Sequence, residues 1–131
     1  IKATKVANKP FYVLAGEDRN TYSTLCLGGH GGISAVAHVI GEEYLKMYNL
    51  MLEKKDKNYQ YNALAIHYNT LEVVKNLFME PNPAPVKAAL HMMGVLPNDI
   101  LRLPLVSMTP ESKGILRQSL IELGKIKDYK P

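Results

Sequence analysis

Apolar positions near the start of the chain fall in two short runs, Phe11 to Ala15 and Ile33 to Ala37, and neither alternates apolar with polar. A strand apolar on both faces is buried on both faces, which is the habit of parallel sheets. Between the runs lie an acidic turn, Gly16-Glu17-Asp18, a segment with one or two helical turns, Thr21 to Leu27, and a glycine loop, Gly28-Gly29-His30-Gly31-Gly32. The order strand, helix, strand predicts a β-α-β unit, which needs further parallel strands beside it. After Val39 the pattern changes to four helical periodicities, and no further strand is predicted. Two buried parallel strands followed by helices read as the end of a β/α barrel whose beginning lies elsewhere.

Ile1 to Lys9 reads as the tail of a helix that ends before Pro10, because the residue preceding proline is pushed out of the α region. Asn20 or Thr21 is a suitable cap for the short helix. His38-Val39-Ile40 leaves the second strand, and Gly41 opens a helix whose apolar set is Tyr44, Leu45, Tyr48, Met51 and Leu52. A polar turn, Lys54-Lys55-Asp56, precedes a long helix from Lys57 to Phe78 with the stripe Leu64, Leu71, Val74, Phe78 and with His67 on the same line. Glu80-Pro81-Asn82-Pro83-Ala84-Pro85 stops it; alternate prolines favour extended conformation, and Pro85 suits the first turn of the next helix. That helix shows Val86, Leu90 and Met93 on one face and ends at Gly94. An apolar connection, Leu101 to Met108, leads to Thr109-Pro110-Glu111, a cap, a first-turn proline and an acid at the positive end of the dipole. The last helix uses Leu116, Leu120 and Leu123 and stops at Gly124, with a frayed tail from Lys125.

A chain of 131 residues with 47% hydrophobic and 21% charged residues is a soluble globular protein of ordinary balance. Its net charge of +4 comes from scattered lysines rather than a basic face, which argues against nucleic-acid binding. No apolar run approaches a membrane span, and no secretory leader precedes the first strand. Ile1 in place of a start methionine points to a processed product or a fragment. The single Cys26 excludes an internal disulfide, suits a cytoplasmic location and reads as a small core residue.

In barrels and open α/β sheets ligands bind at the carboxyl ends of the strands. Those ends are Gly16-Glu17-Asp18 and Ser34 to His38. Gly16 allows close approach to the backbone, and Glu17 and Asp18 are able to bond a polar substrate, orient a neighbour or simply cap a helix. Ile33 to Ala35 offers backbone groups to a small ligand or plain barrel packing. The glycine loop lacks the G-x-G-x-x-G and Gly-Lys-Ser/Thr patterns of phosphate cradles, and His30 reads as a turn residue. The four histidines are not spaced for zinc, and His67 reads as a satisfied core residue.

Leu14-Ala15-Gly16-Glu17-Asp18, Gly28-Gly29-His30-Gly31-Gly32-Ile33-Ser34, Glu80-Pro81-Asn82-Pro83-Ala84-Pro85-Val86-Lys87 and Leu101-Arg102-Leu103-Pro104-Leu105 occur in the same order in dihydrodipicolinate synthases. These are class I aldolases of the N-acetylneuraminate lyase superfamily, and the chain resembles them from about Phe11 to Leu123. The resemblance implies an α/β fold: the C-terminal part of a (β/α)₈ TIM barrel, with Phe11–Ala15 and Ile33–Ala37 as strands seven and eight, followed by an α-helical domain. The division falls at residues 1–56 and 57–131. Family members condense pyruvate, held as a Schiff base on a lysine, with aspartate semialdehyde in lysine biosynthesis. No cofactor or metal is implied. The Schiff-base lysine, the proton-shuttling tyrosine, the carboxylate-binding threonine and the lysine feedback site belong upstream of this sequence. Lys2 is rejected as the nucleophile, because its distance to Gly16 is too short for a strand, a helix and a loop.

The resemblance carries substrate binding to Ile33, through its backbone, and to Gly16, beside the growing product. It extends to Glu17, where relatives often have aspartate, and to Ala35, where many have valine. The chain alone is then expected to be inactive and to pair with the upstream barrel or with copies of itself. Two alternatives stand beside this reading. One is another pyruvate-dependent aldolase, such as a sialic acid or keto-deoxy sugar acid lyase. The other is a non-catalytic interaction module made from a truncated barrel.

Overall fold

The computed structural model describes residues 11–127. The helix tail expected over Ile1 to Lys9, including Lys2, lies outside the described residues, as does the tail from Asp128. In chain order come β1 (Leu14–Ala15), a 3₁₀ turn (Asp18–Asn20), α1 (Thr21–Cys26), β2 (Gly31–Gly32), α2 (Ala37–Glu53), α3 (Tyr59–Asn76), α4 (Ala84–Met92) and α5 (Pro110–Glu122). The chain forms two compact units divided between Tyr68 and Asn69, within α3.

In the first unit β1 and β2 are parallel, with Leu14 opposite Gly31 and Ala15 opposite Gly32. The β-α-β unit is therefore present, but the second strand is not Ile33 to Ala37: it lies within the glycine loop. The ladder runs from the His30 amide on the Val13 carbonyl (2.8 Å) to the Ile33 amide on the Ala15 carbonyl (2.9 Å). Beyond Ile33 the chain leaves the sheet because the amides of Ala35 and Val36 turn to the Asp18 carboxylate instead of a neighbouring strand. Helix α2 accordingly opens at Ala37, with Gly41 inside it, just after a kink at Ile40 (φ −121°, ψ 35°). The first run is not buried on both faces either: Ala15 is buried, whereas Phe11, Tyr12 and Leu14 are exposed.

Helix α2 buries Val39, Ile40, Tyr44, Met47 and Met51. Leu45 and Leu52, expected in the core, face outward, because the buried arc is centred on Met47 rather than on these leucines. A similar rotation holds in α3, where Ala63, Thr70, Val73 and Val74 are buried, as is Leu77 just beyond its end, and Leu71 is exposed. The small side chains of Ala63 and Thr70 occupy positions that a search for large apolar residues passes over. Cys26 is exposed, contrary to expectation, because the six-residue α1 buries Thr21 and Leu25 and leaves Cys26 on the other side.

In the second unit α4 and α5 pack together. The Ala84 amide reaches the Pro81 carbonyl (3.1 Å), so the proline stretch makes a turn rather than an extended rod. Pro85 does sit in the first turn of α4, and Gly94 (φ 75°) and Gly124 (φ 77°) follow α4 and α5 in the left-handed conformation. Thr109 caps α5, its hydroxyl accepting from the Ser112 amide (3.2 Å). The same threonine donates through its amide (3.1 Å) and hydroxyl (3.0 Å) to the Glu80 carboxylate, which joins the ends of α5 and the proline turn. Lys113 and Asp99 form an ion pair at 2.5 Å, and Lys87 reaches the Ile100 carbonyl. Leu116 and Leu120 of α5 are fully buried.

Candidate functional site

The two acids of the turn after β1 divide their work. Glu17 is exposed and caps the 3₁₀ turn locally, its carboxylate accepting from the Arg19 amide at 3.4 Å. Asp18 is 4% exposed and acts at long range. Its Oδ2 accepts from the amides of Ala35 (3.1 Å) and Val36 (3.5 Å), the free N–H groups at the start of α2. A carboxylate at that end of a 17-residue helix satisfies orphan donors and meets the positive end of the helix dipole. The Tyr44 hydroxyl, about two turns further along α2, donates to the Asp18 carbonyl (3.1 Å). Burial first, and then the neighbouring Asp18 carboxylate, push the Tyr44 phenol well above its usual range; burial does the same to Tyr48, whose ring meets Tyr44 edge-on. Asn20, expected as the cap of α1, makes no side-chain cap bond.

The expected site residues gather at this end of the sheet. Ile33 follows β2 directly; the residue is 76% exposed and its amide is held by the Ala15 carbonyl. Gly16 follows β1 and is exposed, with nothing within 4 Å of the place a Cβ would take. Ala35 is half-buried and joined to Asp18 through its amide. Ser34, between Ile33 and Ala35, closes the first turn by accepting from the Ala37 amide (3.0 Å). Sequence reasoning named Asp18 only as one of two equivalent acids; the one signal separating them is that an acid sits where a β-rich run must turn into a helix.

The glycine loop has a packing cause. The Gly29 amide bonds the Thr24 carbonyl at 2.7 Å, and a Cβ on Gly29 would lie 2.4 Å from Thr24 Cγ2 and 2.8 Å from that carbonyl oxygen. His30 accepts from the Val13 amide through Nδ1 (3.1 Å), so it serves the sheet edge. His67 is half-buried and stacks on Tyr22 at 5.3 Å. Among the described residues no group of three His, Cys, Asp or Glu side chains is placed to hold a metal, and no helix is long and apolar enough to cross a membrane. A groove of about 420 Å³ along α2, lined by Leu45, Asn49, Leu50 and Glu53, is open to solvent. It is lined by the middle and end of α2, away from the strand ends, and does not include the residues above.

Comparison with known proteins follows the same residues. The model of the dihydrodipicolinate synthetase family matches residues 1–123. The chain is 44% identical over 114 residues to the 4-hydroxy-tetrahydrodipicolinate synthase of Methanocaldococcus jannaschii, covering 87% of this chain and 38% of the relative. It is 43% identical to 4-hydroxy-tetrahydrodipicolinate synthase 2 of Clostridium acetobutylicum, covering 86% of this chain and 39% of that one. Among solved structures, dihydrodipicolinate synthase of Thermotoga maritima superposes with a TM-score of 0.84 at 36% identity, over 95% of this chain and 41% of that one. A monomeric dihydrodipicolinate synthase variant gives the same score over 96% of this chain and 40% of its own. The chain thus spans about two fifths of the length of these relatives and has the fold of the matching part. It belongs to the dihydrodipicolinate synthetase family.

Proposed function

We propose that this chain is the C-terminal part of a dihydrodipicolinate synthase-like lyase, contributing the last two β/α units of a (β/α)₈ barrel and a helical domain. In this reading β1 and β2 belong to the seventh and eighth strands. The complete barrel condenses pyruvate, bound as a Schiff base to a lysine outside this chain, with aspartate semialdehyde. The single observation that carries the proposal is the family match over residues 1–123. The strand-end geometry agrees with it, since Gly16 and Ile33 stand side by side at the carboxyl ends of two parallel strands.

The chain's own share of the chemistry is binding and shape. The Ile33 amide is spent on Ala15, so what its backbone offers a ligand is the carbonyl. Gly16 leaves its backbone open, which suits close approach of a small substrate. Glu17 is exposed on the turn, where its carboxylate, besides accepting from the Arg19 amide, is able to meet a polar substrate group, and Ala35 is half-buried beside them. A neutral lysine nucleophile needs a desolvated or electropositive pocket, which a complete barrel supplies.

The test joins residues 11–131 to the upstream part of the T. maritima synthase and adds labelled pyruvate with borohydride. A stoichiometric adduct on the upstream lysine, with consumption of aspartate semialdehyde, is expected. A folded chimera without adduct, or one that turns over only sugar acids, defeats the reading. The 131-residue chain alone gives no adduct.

A further inference from the structure

We propose that Asp18 is a positioning residue of the strand-end site, a clasp that holds the backbone of Ile33 to Ala35 in place without touching substrate. The inference rests on the functional reading above. The segment after β2 is pinned at two points, the Ile33 amide on the Ala15 carbonyl (2.9 Å) and the Ala35 amide on Asp18 Oδ2 (3.1 Å). Between them lies the peptide that carries the Ile33 carbonyl, the acceptor this chain would turn toward a donor of the bound substrate adduct. Asp18 is itself held from α2, by the Tyr44 hydroxyl on its carbonyl. One buried side chain therefore ties the loop after β1, the loop after β2 and the start of α2 together.

The burial of Asp18 separates a clasp from a substrate contact. Both the residue and its Oδ1 are closed to solvent, and Oδ1 meets no hydrogen-bond donor among the described residues. A group that bonds substrate needs an open oxygen; the open acid of this turn is Glu17. Nor does the 3₁₀ turn need the Asp18 side chain, because its capping bond comes from Glu17. What Asp18 supplies is an acceptor oxygen at a fixed place, and near-attack geometry is sensitive to shifts of an ångström.

The experiment compares Asp18→Ala with Asp18→Asn, which keeps one acceptor oxygen and the shape but not the charge. In the 131-residue chain, amide exchange at Ala35 and Val36 is expected to quicken in the alanine variant while Leu116 and Leu120 stay as protected as before. The asparagine variant is expected to stay near the parent. In the active chimera, Asp18→Ala is expected to lower kcat/KM for pyruvate by ten- to hundredfold, on the order that misplacement brings. Asp18→Asn is expected to restore it to within about threefold, in keeping with a role in placement alone. A folded Asp18→Asn variant as impaired as Asp18→Ala overturns the clasp and makes the charge itself the active feature. An Asp18→Ala variant with parental kinetics overturns it as well. If Asp18→Ala fails to fold, the asparagine variant decides alone, since a tenfold loss there is incompatible with the clasp. An inactive chimera with Asp18 intact defeats the functional reading instead, and with it the positioning role, whereas the exchange at Ala35 and Val36 still reports separately on the bonds.

Discussion

Single residues at the strand ends show how close packing decides what a short motif is for. Gly29 sits against the backbone of Thr24, where a Cβ would come within 2.8 Å of a carbonyl oxygen. Gly29→Ala is expected to lower stability by about 1–3 kcal/mol, the usual cost of forcing atoms into a filled site. Adding Thr24→Ser removes Cγ2 and relieves only part of that cost, because the clash with the carbonyl remains; thermal unfolding of both variants checks this. In the second unit the Ser112 hydroxyl and then the Thr109 amide hold the Glu80 carboxyl below its usual range, and Lys113 does the same for Asp99. A carboxyl with a depressed folded-state pKa stabilises above its unfolded value, and that stabilisation is lost as the pH falls through the folded pKa. The advantage of the parent chain over Glu80→Gln should therefore be full near neutrality and shrink from about pH 5 downward. A constant gap across an acid titration of unfolding would refute the assignment.

At the scale of elements, local signals were legible and long-range captures were not. Thr109-Pro110 as a helix start, Pro85 in a first turn and Gly94 and Gly124 as helix stops depend on neighbours in the sequence, and all appear in the fold. The position of β2 depends on Asp18, seventeen residues before Ala35, and no local pattern reveals that an apolar, β-rich run will be turned into a helix by a distant carboxylate. The sequence marks the ends of two parallel strands as the place of the proposed site, but not the division of labour between Glu17 and Asp18, since only burial separates them. The stripe expected in α3 holds at Val74 but not at Leu71, for a similar reason: side-chain size alone does not mark burial. Leu77 is fully buried and Leu71 is 37% exposed. Leu77→Ala is expected to cost about 2–5 kcal/mol and Leu71→Ala well under half of that. Denaturant melts giving equal losses would restore the stripe read from the sequence.

At the scale of the whole molecule, the two units differ in how completely each closes its own core. The second unit buries Leu116, Leu120, Ala88 and Ala89 and adds the Thr109–Glu80 and Lys113–Asp99 ties. Among the described residues the sheet of the first unit consists of two strands of two residues, with Phe11, Tyr12, Leu14 and Ile33 exposed around it. Two-stranded sheets are marginal by themselves, and exposed apolar strand edges recruit partners. Local opening then costs little at the sheet and approaches the global value in packed helices. In a dilute solution of this chain the His30 and Ile33 amides, which carry the parallel ladder, are expected to exchange much faster than those of Leu116 and Leu120. Raising the concentration, or joining the upstream barrel of a relative, is expected to slow exchange at His30 and Ile33 and leave Leu116 and Leu120 unchanged. A dilute monomer that protects all four equally would mean that the sheet needs no neighbouring strands, and the proposed place of β1 and β2 at the end of a barrel would fall with it.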